Sequence, residues 1–357
     1  MRVAVYTVAL NEEKHVERWY ESTRDADVHL IADTGSTDKT RTIARKLGIK
    51  ILSLHLNPWR FDDSRNAALA ALPADIDYCV SLDVDEVLLP GWREGLEDAH
   101  VAGIDWPKYN YVFSWRSEGI PNIEFKGIKI HPRWGVRWKY PIHEIPVACD
   151  GWTHNWGHAD VTIHHLPDNE KSRGQYLTML ESAAREEPHS ARLAYYLARD
   201  YYFAQKYEEA TREFLRYLAS DEYPYPEERC EAYRYLSFMD PDNAEFWLKQ
   251  AISQNSGRRE PYVDLARFYA DRAEWNKSLH SAQKALEIVE RPKTFLCEAR
   301  AWGGLPHDQI AVAAYQLKQY ELALEHGRIA LEFDPDDDRL IKNQEFYEVA
   351  ISEFLNF

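Results

Sequence analysis

Before residue 90, four short strand-like runs alternate with helical stretches and three of them end on a polar cluster, and this alternation constrains the fold more than any other feature. Val3 to Val8 is continuously apolar, as a strand covered on both faces of a parallel sheet must be. A helical stretch, Glu12 to Ser22, follows it. Val28 to Ala32 is a second strand, leading into Asp33-Thr34-Gly35-Ser36-Thr37-Asp38 and a helix that stops near Gly48. Gly48 is suited to the left-handed residue that closes a helix, and Asp38 to the N-cap of the Lys39–Leu47 segment. Lys50 to Leu54 and a helix from about Asp62 to Leu72 come next. The fourth strand, Tyr78 to Leu82, runs into Asp83-Val84-Asp85-Glu86. Strands and helices alternating at this spacing predict βαβ units in a right-handed, Rossmann-type, mostly parallel sheet. Ligands of such sheets sit beyond the carboxyl ends of the strands. Asn11-Glu12, Asp33 to Asp38 and Asp83 to Glu86 all fall there.

The texture changes twice further along. Trp106 to Leu166 holds aromatic-rich strand-like runs, at 109–115 and 135–138, punctuated by prolines. These predict a second, more antiparallel portion that completes the first domain. Beyond a connecting helix, small and aromatic residues recur at a fixed period. Ala198, Tyr201, Ala210, Phe214 and Tyr217 become Ala232, Tyr235, Ala244, Leu248 and Ala251 on adding 34. A second step of 34 gives Ala266, Tyr269, Ser278, Ala282 and Ala285. A fourth copy, Ala311, Ala314, Ala323, Gly327 and Ala330, requires about 11 extra residues around Arg291 to Gly303, and Asp334-Pro335 ends it. Small residues where paired helices approach, at this period, are the tetratricopeptide signature. Such hairpins stack into a curved array whose concave face receives a peptide or another subunit. The expected division is therefore 1–168 for the α/β domain, 169–189 for the connecting helix, and 190–357 for the all-α repeats.

Composition removes several alternatives. The 357 residues are 45% hydrophobic and 13% aromatic, enough to bury a sizeable core. A formal net charge of −16 repels polyphosphate, which argues against nucleic-acid or anionic-membrane binding. No apolar run approaches the ~20 residues of a membrane span. The N-terminus meets acidic residues too early for a signal peptide and reads as the first strand. Cys79, Cys149, Cys230 and Cys297 are widely spaced, so reduced thiols in a cytoplasmic protein are expected. Self-association is left open.

Asp83-x-Asp85 is the central chemical motif. Two carboxylates at the end of a buried strand can both reach one hard cation, Mn²⁺ or Mg²⁺, whose shell diphosphate oxygens complete. The ion then neutralises charge building on a departing nucleoside diphosphate. Thr7-Val-Ala-Leu-Asn11-Glu12-Glu13, Asp33-Thr-Gly-Ser-Thr-Asp38, Trp59-Arg-Phe-Asp62-Asp-Ser-Arg65-Asn66 and Leu82-Asp83-Val-Asp85-Glu86 resemble, in order and spacing, the family 2 glycosyltransferases of GT-A fold. The repeats narrow the resemblance to bacterial and phage members with C-terminal tetratricopeptide repeats, some of which glycosylate peptides. The resemblance implies a UDP-type nucleotide-sugar donor, inversion, and a protein or peptide acceptor. It implies that Ala9 and Asn11 line the base pocket and that Asp33 contacts the base or ribose. Relatives often carry a second acidic residue where Thr34 stands. It further implies that Arg65 and Asn66 approach the nucleotide, that Asp83 faces the ribose or metal, and that Asp85 ligates the metal.

A second constellation, Arg133-Trp-Gly-Val-Arg137-Trp138-Lys-Tyr-Pro-Ile-His143-Glu144, resembles the acceptor side of related enzymes. Displacement at an anomeric carbon needs a base for the acceptor proton, and carboxylates commonly serve. Glu144 is the first choice and Asp62 the second; a structural pairing of Glu144 with Arg133 or Arg137 is the competing reading. A late histidine often completes the metal site of this fold. His164 and His165 end a strand, only one of them can face inward, and His164 is favoured over His165 and His143. His154 and His158 sit among glycines and tryptophans, which argues against a zinc-binding helix. Gly-x-Gly-x-x-Gly, Gly-x-x-x-x-Gly-Lys-Ser/Thr and Gly-x-Ser-x-Gly are all missing, so dinucleotide, P-loop and hydrolase readings lose their support. A catalytically silent scaffold and a transferase acting on a glycan or modified DNA are the remaining alternatives.

Overall fold

The computed structural model describes residues 1–117, 120–167, 176–222 and 225–355. It divides into two compact units, Met1–Glu186 and Glu187–Phe357.

The first unit opens with β1 (Val3–Ala9), α1 (Val16–Ser22), β2 (Val28–Asp33), α2 (Thr40–Lys46), β3 (Lys50–Ser53), α3 (Phe61–Ala70) and β4 (Tyr78–Ser81). After these come β5 (Glu86–Leu88), α4 (Trp92–Val101), β6 (Trp106–Ser117), β7 (Ile120–Gly127), β8 (Ile130–Pro132), β9 (Val136–Lys139), β10 (Ile145–Ala148), β11 (Trp156–His165) and α5 (Tyr176–Glu186). The main sheet has the order β3-β2-β1-β4-β8, with β1 to β4 parallel and β8 antiparallel to β4. Strand alternation divides its side chains between two cores. Val3 and Val5 join Trp19, Ile31 and Val80 on one face; Ala4 and Tyr6 join Leu30, Leu69 and Cys79 on the other. Both faces are dry, which is why these strands read as unbroken apolar runs. Trp19 is fully buried and donates its indole N–H to Leu82 O at 3.0 Å, tying α1 to the tip of β4. Truncating it to alanine would cost roughly 3–5 kcal/mol.

A second sheet runs β5-β11-β6-β7. β6 and β7 are antiparallel, as the sequence led one to expect, but β11 lies parallel to β6. Residues between them return the chain to the starting end, where the Asp105 and Trp106 N–H groups both donate to Asn155 O. β9 and β10 form a separate antiparallel hairpin. Of the expected connecting helix, residues 169–175 lie outside the described residues. The remainder, α5, packs in the first unit, with Leu180 buried and Glu186 paired to Arg60 at 2.7 Å.

The second unit is helical: α6 (Ala191–Phe203), α7 (Tyr207–Leu218), α8 (Pro226–Met239), α9 (Ala244–Gln254), α10 (Glu260–Ala270), α11 (Trp275–Glu287), a 3₁₀ turn (Ala299–Trp302), α12 (Leu305–Gln316), α13 (Tyr320–Phe333) and α14 (Asp338–Leu355). Ala198, Ala210, Ala232, Ala251, Ala266, Ala282, Ala314 and Ala323 are all fully buried. They let the helices of each hairpin close up. Ser278, where other copies have alanine, donates its hydroxyl to Ala266 O at 2.8 Å and so keeps the same close contact. The inserted segment near 291–303 is pinned from inside: Arg258 donates to Leu296 O at 2.7 Å, and Glu260 accepts from Glu298 N at 2.8 Å. One more helix, α14, continues the all-α region past Asp334-Pro335, where the fourth repeat ends. It packs over Gly327, where a Cβ would meet Gln344 Oε1 at 2.5 Å and the Tyr347 ring at 2.9 Å.

Candidate functional site

Three loops at the carboxyl ends of β1, β2 and β4 build the site. The first two are stitched together. Asn11 adopts φ 56°, a left-handed conformation that asparagine tolerates, and its side-chain oxygen accepts from Thr37 N at 2.8 Å. Glu13 N donates to Asp38 at 3.0 Å, and Lys39 N donates to Glu13 at 2.9 Å. Asp38 also accepts from Thr40 N at 2.9 Å, so it ties the helix start although α2 begins one residue later than expected. Asp33 is buried, with its carboxylate turned toward Gly35 N and Ser36 N at 3.3 Å and Arg41 at 3.7 Å. Ala9 is buried too, and its carbonyl accepts from Thr34 N at 3.0 Å.

The third loop is locked by Glu86. Its carboxylate accepts from Asp83 N at 2.9 Å while its own N–H donates to Asp83 O at 2.9 Å. Tyr111 donates its hydroxyl to the other oxygen at 2.7 Å. Burial raises the Glu86 carboxyl despite nearby Lys129, and the Asp83 charge adds to the rise. Closing the turn this way sends Asp83 and Asp85 to different partners.

Asp83 is gripped by two cations. Arg65 reaches one oxygen at 2.7 Å and Lys129 the other at 2.6 Å. Burial alone would raise the Asp83 carboxyl, but these cations outweigh it and hold it far below the usual carboxylate range. Arg65, itself buried, uses its remaining donors on Ser81 Oγ at 2.7 Å and Glu144 Oε1 at 2.7 Å. Its guanidinium lies 4.8 Å from the Trp138 ring centroid, a cation–π contact. The Trp138 indole donates to Tyr6 Oη at 2.7 Å, and Tyr6 meets His131 Nε2 at 2.9 Å. His131 is held on its other nitrogen by Pro132 O at 2.8 Å.

Asp85 stands beside His165, with Nε2 to Oδ2 at 3.5 Å. The other His165 nitrogen lies 3.1 Å from Phe113 O, and the ring stacks on Phe113. Burial works against charge on this imidazole, yet Asp85 more than offsets it and the pKa is raised. His164 is instead set against the Trp115 ring, and burial lowers it. Among the described residues, no three His, Cys, Asp or Glu side chains are gathered to hold a metal.

With this geometry in view, the comparisons are decisive for the first unit. Residues 4–135 match the model of glycosyl transferase family 2. The first unit is a family 2 glycosyltransferase domain. The succinoglycan biosynthesis protein ExoA of Rhizobium meliloti (strain 1021) is 39% identical to this chain over 106 residues, 27% of this chain and 32% of that protein. The chain thus spans about a third of the length of the curated relative it matches. Among solved structures, the MamA protein is 16% identical, with 46% of this chain and 83% of that one covered at TM-score 0.36. A thermophilic tetratricopeptide protein of Thermus thermophilus is 21% identical, with 50% and 91% covered at TM-score 0.32.

Several expectations for the family 2 domain need revision. The inward-facing histidine is His165, not His164, because Ala159, Val161 and Ile163 are buried on its face of β11. Asn66 spends its amide on Trp138, clamping both of its backbone groups, N–H at 2.8 Å and carbonyl at 2.9 Å. Glu144 is paired with neither Arg133 nor Arg137 but with Arg65, while Arg133 donates to Pro73 O and Leu72 O. Asp62, the second choice for base, is buried and bound by Arg60 at 3.1 Å. The expectation that His154 and His158 lie outside any helix holds. Lys129, Ser81, Tyr111 and His131 were missed altogether.

Proposed function

We propose that this protein transfers a sugar, with inversion, from a UDP-type nucleotide donor to a polypeptide acceptor, assisted by Mn²⁺ or Mg²⁺. The observation that carries the reading is the group Arg65, Asp83, Lys129, Asp85 and His165 at the strand tips of a family 2 domain. Donor chemistry at Asp85 and His165 fits a divalent cation. His165 holds Nδ1 toward Phe113 O and Nε2 toward the Asp85 carboxylate; with the Nε2 proton released, that nitrogen and Asp85 would together face the cation. Two protein donors leave the remaining positions to water and diphosphate oxygens, the usual way such ions are shared with a nucleotide. Bound there, the cation would supply charge neutralisation for the departing diphosphate.

The chain's own residues do the rest. Asp83, fixed by Arg65 and Lys129, is a rigid acceptor for ribose hydroxyls, and Ala9, Asn11 and Asp33 frame the base side. Glu144 keeps one oxygen on Arg65 and uses the other to take the acceptor proton. The repeats, whose hairpins suit protein interaction, receive the polypeptide. No described helix is long and apolar enough to cross a membrane. The free cysteines Cys79, Cys149, Cys230 and Cys297 fit work in the cytoplasm.

Incubating the full chain with a panel of nucleotide sugars and Mn²⁺ tests this reading. A UDP-sugar should be hydrolysed slowly, the rate falling by about a hundredfold or more in Glu144→Gln, the usual range for removing a general base. No release of nucleoside diphosphate from any donor would refute it.

A further inference from the structure

The second unit contains a cavity of about 430 Å³ whose walls come from α6, α8, α9, α10 and the 3₁₀ turn. Resting on the reading that the repeats receive a polypeptide, we propose that this cavity selects an acidic segment carrying an aromatic or large aliphatic residue. Tyr202, Phe238 and Phe268 give it an apolar floor, and Phe238 is 40% exposed. Arg267, Arg272 and Arg300 stand over that floor, against Asp264 and Asp271.

The charge balance favours an anionic guest. Asp264 is already neutralised from behind, with buried Arg234 at 2.6 Å. Asp271 meets Arg267 only at 4.0 Å, and both side chains are largely exposed, so that pair contributes little. Arg272 is fixed in place: its guanidinium lies 3.7 Å from the Phe268 ring centroid and donates to Phe268 O and Pro241 O. Arg300 reaches Glu298 at 2.8 Å and remains about half exposed. The wall sets three arginines against two aspartates, with Arg300 shared between Glu298 and Asp264, in a chain of net charge −16. Arginine forks grip carboxylates bidentately, and the aromatic floor supplies the apolar contact that a charged surface alone lacks. A basic segment would meet Arg272, whose guanidinium has no carboxylate at ion-pair distance among the described residues.

The test uses the full chain and a fluorescein-labelled Ser/Gly peptide bearing adjacent glutamate and phenylalanine residues. A counterpart with lysine in place of every glutamate serves as control, and binding is read by anisotropy. The glutamate peptide should bind, weaken with added salt, and lose affinity by on the order of tenfold in the Arg267→Glu/Arg300→Glu double variant, about 1.4 kcal/mol. That variant should gain affinity for the lysine peptide, which a merely unfolded protein would not do. Equal binding of both peptides, or none of the glutamate peptide, overturns the proposal. Donor hydrolysis, measured on the same samples, reports separately on the transferase reading. Hydrolysis without peptide selection sinks the cavity proposal alone; peptide selection without hydrolysis sinks the transferase alone.

Discussion

Acidification should unlock the core beneath Arg65, and His131 sets where. This imidazole is fully buried, and its pKa is lowered from 6.5 to about 4. Burial is the main cause; the Pro132 carbonyl opposes it, and Arg133 and Arg65 add to it. Free in the unfolded chain, the group takes its proton near pH 6.5; in the folded protein it resists until about pH 4. Between those values the unfolded state binds more protons, so stability declines as pH falls and is fully present only above about 6.5. A shift from 6.5 to about 4 corresponds to roughly 3 kcal/mol at most. His131→Gln keeps an acceptor for Tyr6 and a donor for Pro132 O but has no titration. Urea midpoints for loss of the first unit, measured from neutral pH to about pH 4, should fall more steeply in the natural protein than in the variant. The gap between the two curves should grow to roughly 3 kcal/mol. Other carboxylates and histidines act on both proteins and cancel in the comparison. A ¹³C-histidine titration gives the direct reading. Parallel stability curves, or a His131 resonance titrating near its free value, would refute the reasoning.

Arg65→Met removes a buried cation and leaves Glu144 and part of Asp83 without a partner, so a loss of about 3–5 kcal/mol in the first unit is expected by calorimetry. Arg65→Lys keeps the charge but lacks the fork that reaches Ser81, Asp83 and Glu144 at once, so donor hydrolysis should collapse with a smaller loss of stability. Asp85→Asn and His165→Ala should each weaken Mn²⁺-dependent UDP binding by about tenfold or more in titration calorimetry, whereas His164→Ala should leave it nearly unchanged. In Gly95→Ala the new Cβ would lie 2.3 Å from the Asp160 backbone oxygen, so α4 must shift from β11, at a cost of about 1–3 kcal/mol in the melting curve.

Much of this architecture was legible in the sequence because its causes are local or periodic. β1, β2 and β4 are buried on both faces and therefore read as plain apolar runs. The helical hairpins need small residues at fixed intervals. His165 was legible as well: Ala159, Val161 and Ile163 alternate with Asp160 and Thr162, and the next inward position is 165. Favouring His164 ignored that pattern. Other features left no trace in the chain order. Arg65 joins Ser81, Asp83 and Glu144, which lie 16, 18 and 79 residues away. Lys129 reaches Asp83 across 46 residues. The parallel pairing of β11 with β6 depends on the path of everything between them, so antiparallel-looking segments gave no warning of it.

The Asp-x-Asp motif shows why spacing and role are separate matters. Two carboxylates one residue apart suggested a shared cation. In the fold, Glu86 closes the turn between them, and each carboxylate acquires its own surroundings. Asp83 already has a positive partner on each oxygen at hydrogen-bond distance, so a metal there would compete with Arg65 and Lys129 for its charge. Asp85 has a single imidazole at 3.5 Å, which can exchange a proton for a cation without breaking a core contact. Charge already satisfied favours a fixed positioning role for Asp83; charge still available favours metal binding at Asp85. The same reasoning gives Lys129 a place in the proposed site: without it Asp83 would keep only Arg65, and the oxygen that now meets the ammonium would be free to compete for a cation bound at Asp85.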